Sequence, residues 1–84
     1  MLFERPDYNR IQDPAGLIPA DEPVFLLRAQ DKVAARTVRY WAMALEARGG
    51  DPVIIEAARR QAQRMDAWPV KKMPDLPPPG DPAP

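Results

Sequence analysis

Gly49-Gly50-Asp51-Pro52 separates two alanine-rich segments whose apolar residues recur at helical spacing. Glycine ends helices because it takes the left-handed conformation without a Cβ penalty, and proline suits a first helical position, where no N–H is needed. A connection this short makes the two helices antiparallel neighbours. The expected fold is therefore mainly α, an antiparallel helical hairpin.

The first helix is expected from Asp31 to Arg48, with Asp31 as N-cap and Arg48 in the last turn, where a cation suits the helix dipole. Ala34, Val38, Trp41 and Leu45 follow at spacings of four, three and four and form its apolar stripe, flanked by Val33, Thr37, Tyr40 and Ala44. The second helix starts with Asp51 as N-cap and Pro52 in the first helical position. It carries Ile54, Ile55, Ala58, Ala62, Met65 and Trp68 inward and stops before Pro69. Small residues on both stripes (Ala34, Ala58, Ala62) predict a close approach.

Around this body, 23–68, the sequence divides into two further parts. Residues 1–22 hold Pro6, Pro14, Gly16 and Pro19 and are expected to form an irregular N-terminal arm, with Asp13-Pro14-Ala15-Gly16 as a tight turn. Its Leu2, Phe3, Tyr8, Ile11, Leu17 and Ile18 suit packing across the hairpin. Residues 69–84 hold seven of the chain's prolines and are expected to form a disordered Pro-rich tail of polyproline character, with Val70, Met73 and Leu76 as the residues by which it would dock back. Pro74-Asp75-Leu76-Pro77 contains a PxxP spacing. Pro23 to Arg28 reads in two ways, as a short strand or as the start of one long helix capped by Asp21. The extended form is preferred. A lone strand is not a stable element, so it must pair with the N-terminal arm or with a second subunit.

A chain of 84 residues without cysteine or histidine has a thin core and no disulfide, and lacks the commonest general base and metal ligand. Self-association is one remaining route to stability. Thr37 is the sole hydroxyl of the serine–threonine type, and no nucleophile–base pair can be assembled, so a non-catalytic protein without cofactor or metal is expected. No stretch reaches the roughly 18 apolar residues of a membrane span and no signal peptide opens the sequence, which predicts a cytoplasmic protein that engages no membrane.

The zero net charge conceals a basic body between acidic ends: residues 1–22 sum to −3, residues 28–72 to +5 and the remaining tail to −2. Arg28, Lys32, Arg36 and Arg39 would line one face if the helix reached back to Arg28, giving an anion-binding stripe for a nucleotide signal or nucleic acid. The competing reading is protein–protein interaction. Tyr40, Trp41, Met65 and Trp68 are the candidate partner-binding anchors, with plain core packing as their other assignment.

Asp21-Glu-Pro-Val-Phe-Leu-Leu-Arg-Ala-Gln-Asp-Lys, then Val38-Arg39-Tyr40-Trp41-Ala42, and later Gln63-Arg64-Met65-Asp66-Ala67-Trp68 resemble a group of small uncharacterised accessory proteins of tailed phages and prophages. The resemblance spans about residues 17–68 and carries no catalytic or ligand residues with it. It implies a phage-encoded, host-directed role in the bacterial cytoplasm, by binding a host protein and inhibiting a host defence component or by sequestering a signal nucleotide; self-association, as a dimer or larger, is expected separately from the small apolar body and the unpaired strand.

Overall fold

The computed structural model describes the backbone of residues 2–3 and all of residues 13–76. It is mainly helical, in the order β1 (Leu2–Phe3), β2 (Pro23–Val24), α1 (Ala34–Ala47) and α2 (Pro52–Ala67). The chain divides into two compact units, one of residues 1–26 with 75–84, the other Leu27–Pro74. The expectations placed on Tyr8, Ile11 and residues 77–84 lie outside the described residues.

In the first unit, β1 and β2 pair in parallel, Leu2 opposite Pro23 and Phe3 opposite Val24. The extended reading of the run after Asp21 holds, but only two residues of 23–28 are strand. The partner comes from the same chain, so this strand supplies no reason for a second subunit. The tight turn forms as expected: the Gly16 N–H donates to the Asp13 carbonyl at 3.0 Å, with Gly16 at φ 63°. The Asp13 carboxylate then accepts from the N–H groups of Leu17 (3.2 Å) and Ile18 (2.9 Å).

In the second unit α1 and α2 form the antiparallel hairpin. The turn between them is a Schellman motif: Gly49 N–H donates to Glu46 O and Gly50 N–H to Leu45 O, each at 3.0 Å, with Gly49 at φ 74°. These bonds satisfy carbonyls that the end of α1 would otherwise leave unpaired. Asp51 then caps α2, its Oδ1 accepting from Val53 N–H at 2.9 Å, with Pro52 in the first turn.

The start of α1 differs from expectation. The helix begins at Ala34, three residues late, and its N-cap Val33 makes no side-chain cap bond. Asp31 instead closes a preceding turn, its Oδ1 accepting from Val33 N–H at 2.8 Å and its carbonyl from Ala34 N–H at 3.1 Å. The reason is tertiary. Lys32 N–H donates to Lys72 O at 3.0 Å and Lys72 N–H to Gln30 O at 2.7 Å, so Asp31, between two turns, is bridged to the chain returning from α2.

The same pairing corrects the other boundary. The Pro-rich segment begins inside the body, which runs to Pro74 rather than ending at Trp68. Lys71 Nζ donates to the Met65 carbonyl in the last turn of α2 and to Ala29 O, the latter at 2.8 Å. A flexible cation thus ties the last turn of α2, whose Met65 carbonyl also accepts from Trp68 N–H, to the chain before α1.

The core is thin. Ala34, Ala35, Ala42, Ile55, Ala62 and Met65 are the buried apolar residues, and Leu27, Ala29 and Val38 pack against the cluster at the open end of the hairpin. Alanine dominates because small side chains let the two backbones approach closely. Among the described residues no helix is long and apolar enough to cross a membrane.

Candidate functional site

The buried and half-buried positions define the seam. On α1 they are Ala34 and the series Ala35, Val38, Ala42 and Leu45; on α2 they are the series Ile55, Ala58, Ala62 and Met65. Both sets step by three, four and three, the alternation that keeps a helix stripe against an antiparallel neighbour. The expected α2 stripe is right in Ile55, Ala58, Ala62 and Met65. The expected α1 stripe holds at Ala34, Val38 and Leu45 and differs at one position: Ala42 is buried where Trp41 was expected.

The seam leaves the hairpin two unlike flanks. Four residues that follow a seam position pair across the helices: Arg39 Nη2 meets Asp66 Oδ2 at 2.5 Å and Arg59 Nη2 meets Glu46 Oε2 at 3.2 Å. The two pairs lie one heptad apart with opposite polarity. They are half-exposed, so each stabilises by about 0–1 kcal/mol and serves mainly to fix register. Residues that precede a seam position are mostly uncharged: Trp41, Ile54 and Gln61 precede Ala42, Ile55 and Ala62, while Arg64 precedes Met65. Thr37, Ala44 and Ala57 continue that flank outward and are exposed.

Of the four expected anchors, three stand in solvent: Tyr40 is 66%, Trp41 51% and Trp68 53% exposed. Met65, at 7%, is core and lies inside the hairpin seam, so it is not available to a partner. Val53 (73%) and Ile54 (50%) are exposed apolar neighbours on α2 that sequence reasoning had turned inward or passed over. The signal for them was the matching three–four–three steps of 35-38-42-45 and 55-58-62-65. The larger side chains at 41 and 54 had drawn the stripe toward themselves.

The basic stripe does not assemble as expected, because its condition, a helix reaching back to Arg28, is not met. Arg28 and Lys32 precede α1, which contributes Arg36 and Arg39, and Arg39 is engaged by Asp66. Arg28 lies elsewhere, lining a shallow depression of about 380 Å³ with Ala29, Gln30, Trp68 and Val70. The guanidinium and the indole are the two groups there able to bind a planar or anionic moiety. No group of three or more acidic, histidine or cysteine residues suited to a metal ion occurs among the described residues.

No protein-family model, curated protein or solved structure matches the chain.

Proposed function

We propose that the chain is a non-catalytic docking protein that self-associates and acts by protein–protein interaction. The observation carrying this reading is the exposure of Tyr40, Trp41 and Trp68 at half or more of their surface in a body whose core is mostly alanine. Aromatic side chains dominate binding energy where partners meet. The resemblance to phage accessory proteins sets the proposed partner as a host protein in the bacterial cytoplasm, with inhibition of a defence component as the consequence.

A nucleotide or nucleic-acid binder is the second reading. It now rests on Arg28 beside Trp68 in the 380 Å³ depression rather than on a continuous stripe of Arg28, Lys32, Arg36 and Arg39.

One capture experiment separates them. The full chain is used as bait in bacterial lysate, and bound proteins and released small molecules are identified by mass spectrometry. A stoichiometric protein lost on Tyr40→Ala with Trp68→Ala, and retained on Arg36→Ala with Arg39→Ala, is the expected result. A bound nucleotide without protein, lost on Arg28→Ala and weakened steeply by salt, refutes the protein-docking reading.

A further inference from the structure

We infer that residues 69–74 form a strap latched by the Lys71 ammonium, which opens without unfolding the hairpin and so gates the depression between Arg28 and Trp68. The motion lies within the body. It holds whether that depression takes the nucleotide of the second reading or serves protein docking.

No buried side chain holds the strap. All six of its residues are exposed, and its apolar ones, Val70 and Met73, are 53% and 63% exposed. Pro69 and Pro74 at its ends have no N–H to donate, and its pairing with neighbouring backbone is a single bridge. There the Lys72 N–H donates to Gln30 O and the Lys72 carbonyl accepts from Lys32 N–H. Lys71 Nζ adds two bonds from one nitrogen, to Ala29 O and to the Met65 carbonyl. Bonds from a charged donor are roughly twice as strong as those between neutral groups, which makes this amine the latch. A segment with exposed backbone bonds and little buried apolar area opens by itself, ahead of the core.

The segment facing the strap is anchored without it. Leu27 and Ala29 pack on the buried cluster, and the Asp31 N–H donates to Arg28 O at 3.0 Å. Asp31 in turn accepts from Val33 and Ala34 through its carboxylate and its carbonyl. The seam between α1 and α2 likewise contains no residue of 69–74. Opening therefore leaves the hairpin core whole.

The latch joins the two parts of the depression. Arg28, Ala29 and Gln30 line it from the segment before α1, and Trp68 and Val70 line it from the root of the strap. Lys71 follows Val70 and bonds the carbonyl of Ala29, between Arg28 and Gln30. Latching brings the two sets together, and release separates them. Lys71 is thus a positioning residue for this site.

The test is amide hydrogen exchange of the full-length chain, followed residue by residue by NMR and expressed as protection factors. In the wild type, Lys32 and Lys72 should share one opening, at least about tenfold more populated than the opening that exposes the amide of Ala62 in α2. Lys71→Met keeps the apolar stem and removes the donors. It should lower protection at Lys32 and Lys72 at least about tenfold, the loss of two charge-assisted bonds, and at Ala62 less than about threefold. Arg36→Met removes an equal charge from α1 without touching the latch and should change all three by less than about threefold. A second readout is independent of exchange. Spin labels on Arg28→Cys and Met73→Cys, in a chain with no other cysteine, should give one distance distribution with Lys71 present and a second, longer one after Lys71→Met. Wild-type Lys32 and Lys72 amides as protected as that of Ala62 overturn the inference. So does a Lys71→Met protein with unchanged strap protection and label distances, and so does one whose hairpin unfolds.

Discussion

Adjacent glycines in the interhelical turn should resist substitution for different physical reasons, and that difference can be measured. Gly49 stands at φ 74° with nothing within 4 Å of the position a Cβ would take. Alanine there meets open space, so the whole cost is the left-handed backbone, about 1–2 kcal/mol for a residue with a Cβ. Asparagine, which tolerates this region through local hydrogen bonding, should recover part of it. Gly50 has no positive φ, but a Cβ would fall on the Cγ and Cδ1 atoms of Leu45 and 3.1 Å from the Leu45 carbonyl oxygen. Its cost is overpacking, about 1–3 kcal/mol, because Cγ is the branch point of the side chain and not its free end. Leu45→Ala should therefore relieve much of the Gly50→Ala penalty and none of the Gly49→Ala penalty. Urea unfolding of the two double-mutant cycles, followed by circular dichroism at one fixed protein concentration, gives the coupling energies. A coupling of about 1 kcal/mol or more for Leu45 with Gly50 and near zero for Leu45 with Gly49 is expected. Equal couplings, or a Gly49→Asn protein no more stable than Gly49→Ala, would refute the division into backbone and steric terms.

The seam and the second cap give two further tests. Ala62 is fully buried between the helices, so Ala62→Leu should destabilise by about 1–3 kcal/mol in the same unfolding assay; an unchanged midpoint would mean that the helices do not pack through this alanine. Asp51→Ala removes the 2.9 Å bond to Val53 N–H and should cost about 1 kcal/mol, with Asp51→Ser largely retaining stability; equal losses in the two variants would show that the carboxylate acts otherwise than as a cap.

The hairpin was legible in the linear sequence because its signals are local. Glycine at a position that needs positive φ, aspartate followed by proline at a helix start, and apolar residues recurring along one face each act within a turn of chain. Gly49, Asp51, Pro52 and the Asp13–Gly16 turn consequently stand where expected. The candidate site was legible only in part. Tyr40, Trp41 and Trp68 are exposed aromatics, but Met65 is core, and the four cations chosen for one face are divided between α1 and the segment before it.

What local rules left undecided was settled by pairing between residues distant in sequence. Helix periodicity alone admits two stripes on α1, one through Trp41 and one through Ala42. The close approach of α2 selects the second, because an alanine seam has no room for an indole. The start of α1 and the extent of the body were likewise decided by Lys72 and Lys71, which bind the 29–32 backbone some forty residues earlier. By itself, then, the sequence determined that two helices form and where the chain reverses, since those depend on backbone preferences of neighbouring residues. Which faces meet, which aromatics remain exposed and where the body ends were decided by the tertiary structure, since those depend on the volume available between elements and on backbone groups that only long-range contacts can satisfy.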